Sequence, residues 1–231
     1  MPHFDLAAVL TDEFRGWLLK GFALSIELTV LTWLIALPLA TFTALCRLSS
    51  VAAARWLGFV LVEGIRNIPL LVHLLFWYFA VPELLTESLR TLLYENNAEF
   101  VCAIAALTFY TSAFMAEDIR SGIRAVPVTQ LEAARALGFG FLASMRRIVL
   151  PQAVRIIVPP LISQSLNLWK NTSIATVIGT AELMYQAQRV ETASFRGVEA
   201  FTITTLAYLS VSLVITGLAV TFQRYYPVRA A

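Results

Sequence analysis

The sequence predicts an all-α, polytopic membrane protein with five transmembrane helices, treated as a single domain over residues 1–231. Three observations predict it. The chain is 58% hydrophobic and only 14% charged, whereas a soluble domain has about 25% charged residues. Its mean hydropathy is +0.74. Its apolar residues also gather into runs of bilayer length: a hydrocarbon core about 30 Å thick takes roughly 20 mainly apolar residues per helix, because in lipid each segment must satisfy its own backbone polar groups.

Five segments qualify, at approximately residues 21–46, 56–81, 100–116, 156–181 and 200–223. The first follows an acidic N-terminus, and its uncharged part, residues 28–46, is 19 residues long. A cleaved signal peptide would have a basic start and a shorter apolar core, so a retained span is expected. The second is interrupted by Glu63 and Arg66, the fourth by Lys170. Cys46 and Cys102 lie far apart inside apolar runs, which predicts buried, inert thiols. The net charge of +2 is small and the basic residues sit in short loops, so no nucleic-acid partner is expected.

Five spans put the termini on opposite sides. With the N-terminus outside, the inner segments hold ten basic residues (Arg47, Arg55, Arg120, Arg124, Arg135, Arg146, Arg147, Arg155, Arg224 and Arg229) and the outer segments five (Arg15, Lys20, Arg90, Arg189 and Arg196). The positive-inside rule favours this orientation, with the C-terminus cytoplasmic. The stretch at about 129–153 is then a cytoplasmic loop.

That loop carries helix signals. "TQLE" places Thr129 three residues before Glu132, the spacing of a capping box, and predicts a helix start at Thr129. "LEAARAL" is rich in strong helix formers. Gly138 follows where a left-handed glycine would end the helix. "FLASMRRIVL" then predicts a second helical stretch up to Pro151, in the first turn of the fourth span. On these signals alone, a solvated loop or an interfacial helix whose arginines touch lipid headgroups explains the stretch equally well.

The spacing adds a sharper reading. Glu132, Ala133 and Ala134 are followed after three residues by Gly138, and after nine more by Ile148, with Leu150 and Pro151 completing the pattern. This resembles the EAA loop of ABC importer permeases at every defined position. "RNIPLLVHLLFWYFAVP" (66–82), "AEDIRSGI" (116–123) and "WKNTS" (169–173) are similar to segments of permeases for polar amino acids, although Asn67, Ile68 and Asn171 depart from the commonest residues there. "LPQAVRIIVPPL" followed by "LNLWKNTSIATVIGTAEL" looks most like a permease subunit of glutamate/aspartate importers. The resemblance implies a type I ABC importer permease fold with a cytoplasmic coupling helix, in a bacterial inner membrane. It implies two ATP-binding subunits, a second permease that is related but distinct, an extracytoplasmic amino-acid-binding protein and membrane lipid as partners. No phosphate-binding "GxxxxGK[ST]" loop occurs, so ATP and Mg belong to the partner ATPases and this chain is expected to hold no cofactor and no catalytic site. The coupling contact would be made by Glu132, Ala133, Ala134, Arg135, Gly138, Arg146, Arg147, Ile148, Leu150 and Pro151.

Ionisable residues deep in a membrane are costly and face a bundle interior or a cavity. Arg66 lies eleven residues past Arg55 and Lys170 fifteen past Arg155, depths of roughly 16 and 22 Å at the helical rise. Arg66 either pairs with Glu63 one turn earlier or contacts substrate. Lys170 has no acidic neighbour one turn away: it either attracts an anionic substrate or bonds carbonyls of the partner permease. Around it Asn167, Asn171, Thr172 and Ser173 offer groups for an amino acid's ammonium and carboxylate, or for interhelical hydrogen bonds. His73 and Tyr110 read as helix-packing residues, Glu117 and Arg120 as a local ion pair, and Glu27 as a side chain reaching water. Two other functions compete: an ATP-independent carrier or channel, which often shows internal repeats, and a non-transporting scaffold subunit. Five spans do not divide equally, no repeat is visible, and a scaffold has no use for the ATPase-docking spacing.

Overall fold

The structure, a computed structural model, describes residues 4–226. Among them there are helices and turns and no strand, as a chain that must satisfy its backbone within lipid requires. In chain order the α-helices are α1 (Asp12–Leu48), α2 (Ala52–Arg66), α3 (Leu70–Leu75), α4 (Val81–Leu84), α5 (Glu87–Glu95), α6 (Ala98–Arg124), α7 (Val128–Ala136), α8 (Phe141–Ser144), α9 (Leu150–Asn171), α10 (Leu183–Ser194) and α11 (Gly197–Tyr225). A π-helical turn, Phe76–Ala80, joins α3 to α4, a second, Met145–Val149, joins α8 to α9, and a 3₁₀ stretch, Thr172–Ile178, follows α9.

By length and composition three of these helices can cross a membrane: α1, α6 and α11. A fourth crossing exists if α2 and Leu70–Leu84 are counted as one span, but the two are bent by 104°. The second expected span is therefore broken rather than continuous, and the cause is local. Pro69 drives the residue before it out of the helical region, and the Asn67 amide donates to the Glu63 carbonyl at 2.7 Å, helping to close off the end of α2. The fourth expected span starts earlier than apolarity suggests, at Leu150, and leaves the α-helix at Asn171. Its Gln, Asn, Ser, Arg and Lys side chains keep it below the apolarity of the other three, so the expected count of five rests on α9 crossing despite its composition.

Small side chains set the packing. Ala36, Ala40 and Ala44 form a stripe on α1 that packs against Met115, Ala116 and Ile119 of α6 and Ala153 and Ile157 of α9. Such residues let helix backbones approach where lipid supplies no hydrophobic drive. A middle cluster joins Leu28 of α1 and Leu70 and Leu74 of α3 to Ala103, Ala106 and Leu107 of α6 and Leu168 of α9. A third unites Val9, Leu18, Leu183, Ala187, Val190 and Ala200. Cys102 is buried in the middle cluster and Cys46 is partly exposed; both are free thiols.

The bundle has two distinct ends. At one, the Asp5 backbone N–H donates to Glu199 at 3.2 Å and the Thr180 hydroxyl to the Glu99 carbonyl at 3.2 Å. At the other lie α7, the start of α9 and the last turn of α11, where Tyr226 borders the same groove as Arg146. The described ends of the chain thus sit at opposite ends of the bundle. Arg229, counted in the charge tally, lies outside the described residues.

Candidate functional site

Two arrangements bear on function, one at the α7 end and one against α9. Helix α7 begins at Val128 after Pro127, with no side-chain cap. The expected capping box is not formed: Thr129 stands inside the first turn rather than at its boundary, because proline already supplies a residue with no N–H to satisfy. The other end is as expected. Gly138 has φ +83°, its N–H donates to the Arg135 carbonyl at 2.9 Å, and the Phe139 N–H donates to the Ala134 carbonyl at 3.0 Å. This is the Schellman closure, which only a left-handed residue permits without strain. After Gly140, α8 passes through the π-turn into α9 without a break, so the second helical stretch and the fourth span are one helix, with Pro151 in the first turn of α9.

One side of α7 is anchored. Ala134 is buried, and Leu131 packs on a cluster with Val126, Val149 and Ala153. The other side is bare: Glu132, Ala133 and Arg135 are exposed, as are Arg146, Arg147 and Pro151. Around them Val128, Leu137 and Leu142 stand 69%, 76% and 79% exposed. Together they form a patch of large exposed apolar side chains beside a small-residue helix face, a type of surface that soluble segments seldom leave bare. Gly138 is open on its Cβ side, and Ile148 is half-buried. Above the loop an ion-pair network fixes α1, α2 and α6. Arg47 reaches Glu117 at 2.7 Å and Glu63 at 3.6 Å, and Arg120 pairs with Glu117 as the spacing predicts.

This network takes Glu63 away from Arg66. The expected Glu63–Arg66 pair does not form. Instead the Arg66 guanidinium lies over the Phe114 ring at 5.1 Å, with its Nε buried and without a hydrogen-bond partner among the described residues. Phe114 in turn lines an open recess of ≈ 370 Å³ whose other walls are Tyr110, Thr111, Gln164, Asn167, Lys170 and Asn171. Arg66 itself is not among the lining residues. Of the five polar residues expected around the pathway, Asn167, Lys170 and Asn171 line the recess. The other two turn their hydroxyls to their own helix: Thr172 is buried and donates to the Trp169 carbonyl at 2.8 Å, and Ser173 donates to the Lys170 carbonyl at 2.7 Å.

Lys170 is exposed in this recess, and its ammonium makes no ion pair or hydrogen bond with another described residue. Gln164, one and a half turns earlier, is held by Asp118 at 2.9 Å. Tyr110 has two roles, lining the recess and stacking edge-on against buried His73 with ring centroids 5.9 Å apart. Glu27 is exposed on α1. Sequence reading missed Gln164, Asp118 and Phe114; the spacing of Gln164, Asn167 and Asn171 at three and four residues on one helix face was the available signal.

Known proteins resemble this chain in sequence and fold. The model of the family described as binding-protein-dependent transport system inner membrane component matches residues 21–226. The glutamate/aspartate import permease protein GltJ of Escherichia coli (strain K12) is 34% identical over 203 residues, 86% of this chain and 82% of that protein. The probable glutamine ABC transporter permease protein GlnM of Bacillus subtilis (strain 168) is 37% identical over 206 residues, 89% of this chain and 91% of that protein. A crystal structure of an amino acid ABC transporter with histidines superposes with a TM-score of 0.85 at 30% identity, covering 96% of this chain and 99% of that one. The exposed α7 loop, the small-residue helix packing and these likenesses converge: the chain belongs to the family of binding-protein-dependent transport system inner membrane components and is a permease subunit, a transport channel rather than a catalyst.

Proposed function

We propose that this permease serves an ATP-driven importer of amino acids, with glutamate or aspartate as its substrate. The observation that carries the substrate reading is the Lys170 ammonium, exposed in a recess whose lining, among the described residues, has three side-chain amides and no carboxylate. An ammonium in a low-dielectric wall attracts an anion strongly, and the amides of Gln164, Asn167 and Asn171 have donors and acceptors for an amino acid backbone. Relatives named for glutamate/aspartate, for glutamine and for arginine support an amino acid substrate and leave the acidic choice to this lysine.

In this reading α7 docks on the ATPase subunits through Glu132, Ala133 and Arg135, with Arg146 and Arg147 orienting the contact at its rim. The α7 end faces the cytoplasm and the N-terminus the outside, where an amino-acid-binding protein delivers substrate. A second, related permease completes the pathway opposite the recess, and ATP and Mg are bound by the ATPases. Closure of the ATPases pulls on α7, and the bundle rocks about the fixed recess. Lys170→Met keeps most of the length and removes the charge. The complex should assemble normally while glutamate uptake falls about tenfold or more, the effect of losing one charge-assisted contact, and glutamine uptake should change little. A complex that falls apart would make the lysine a structural bond to the partner permease; unchanged glutamate uptake would remove the acidic assignment.

A further inference from the structure

A groove of ≈ 460 Å³ opens at the α7 end, between the helix that runs from α8 into α9 and the last turn of α11. Arg146, Leu150 and Val154 line it at four-residue intervals, with Arg155 beside them, and Phe222 and Tyr226 face them from α11 with ring centroids 5.0 Å apart. Leu150, Val154 and Tyr226 are 42%, 50% and 50% exposed, so its walls are bare apolar surface. Among the described residues no carboxylate lines the groove. Neither arginine makes an ion pair or hydrogen bond with another described residue.

The neighbouring surface indicates what fills it. Only 6% of the apolar stretch of α11 is buried, so this helix stands at the periphery of the bundle and presents the apolar surface that a bilayer would cover, with the groove at its end. Arg224 in its last turn and Tyr226 just beyond mark the level where the apolar run ends, the position at which basic and aromatic side chains meet headgroups. Arg146 and Arg155 are nine residues apart, roughly 13 Å along a helix, a gap that two long arginine side chains span when both extend to one phosphate between them.

We propose that this groove is a binding site for an anionic phospholipid, its acyl chain along Leu150, Val154 and Phe222 and its phosphate paired with Arg155 and Arg146. Apolar walls under unpaired guanidiniums between transmembrane helices suit an anionic lipid, whose headgroup carries the matching charge. A soluble anion leaves the apolar walls bare, and a protein partner would approach from the loop tip, where Val128, Leu137 and Leu142 are exposed. The bound lipid would tie the docking loop, through Arg146, to the membrane-facing helix α11. The site does not depend on which amino acid is carried.

The test uses the purified complex with its partner subunits, stripped of lipid in detergent and supplied with phosphatidylglycerol or phosphatidylcholine, with bound lipid counted by native mass spectrometry. Phosphatidylglycerol should be retained in preference, and Arg155→Gln should lower its retention about fivefold, the effect of one basic residue at an anionic membrane surface. Val154→Trp, which fills the groove without touching the charge, should lower it too, while Arg90→Gln at the other end of the bundle should not. Equal retention of the two lipids, or wild-type retention by Arg155→Gln and Val154→Trp, would overturn the site. Full displacement by excess glycerol phosphate would make it a plain anion site and overturn the lipid assignment, as would an ATPase subunit cross-linking to position 154.

Discussion

Glu182 has no exposed surface, and its carboxylate accepts from the Ser25 hydroxyl at 3.2 Å, the Tyr208 hydroxyl at 2.7 Å and the backbone N–H groups of Met184 and Tyr185, both at 2.9 Å. It caps α10 and at the same time ties α10 to α1 and α11. Beside it Gly21 lets α10 lie directly on α1: a Cβ there would stand 2.7 Å from Gln186 Cγ and 2.9 Å from the Glu182 carbonyl oxygen. Glu182→Ala should therefore lower stability by about 2–4 kcal/mol, because buried donors lose a charged acceptor, and it should do so without changing the substrate preference set at Lys170. Thermal unfolding of the purified protein checks this; a melting temperature equal to wild type would contradict it. None of this was legible in the sequence, since Ser25 and Glu182 stand 157 residues apart and glutamate is not a favoured cap. Arg66 shows the same limit. Its spacing to Glu63 made a local pair the natural expectation, yet Arg47, 16 residues before Glu63 in the chain, claims both Glu63 and Glu117. The Glu117–Arg120 pair, by contrast, was legible because both partners lie on one helix turn.

Helix α7 was the most legible element, because its composition, its closing glycine and its spacing to Pro151 agree. Only its start was misplaced, where a proline took the place of the capping box. Gly138 closes the helix at φ +83° with nothing near its Cβ, so steric crowding plays no part and backbone strain alone decides what a substitution does. A β-branched residue held there costs about 1–3 kcal/mol. Gly138→Val should unravel the last turn of α7 while the long apolar helices insert normally. The variant should reach the membrane at near wild-type level and copurify with at most about a tenth as much ATPase, a loss matching roughly 1.4 kcal/mol or more of docking energy. Wild-type copurification would mean that α7 does not carry the contact. The bend between α2 and α3 was visible in principle in Pro69, but a hydropathy window averages over a break and merges both sides into one span. The start of α9 was obscured for the converse reason: Arg155, Pro159 and Pro160 lower its apolarity, although the helix continues through them.

At the scale of the molecule, long apolar helices surround a polar recess at Lys170 that stays open among the described residues, and the exposed helix α7 lies at one end. The all-α membrane class was plain from composition because lipid leaves a chain few alternatives. The recess was not, since it depends on how α6 and α9 cross, a geometry set in part by Gly122, where a Cβ would overlap Ile157. The polar recess at Lys170 and the exposed face of α7 lie at separate places on one bundle, and in the proposed function energy supplied at one changes access at the other. The direct test is uptake of labelled glutamate by proteoliposomes holding the complete complex, with the binding protein on one side and ATP supplied to the face that carries α7, for the wild type and for Ala133→Asp, which sets a charge on the small face of the docking helix. The account predicts uptake that requires ATP on the α7 side and falls at least about tenfold in Ala133→Asp, the loss expected from a desolvated, unpaired charge at a contact. Uptake that proceeds without ATP, that is driven by ATP supplied only to the opposite face, or that is undiminished in Ala133→Asp would contradict it.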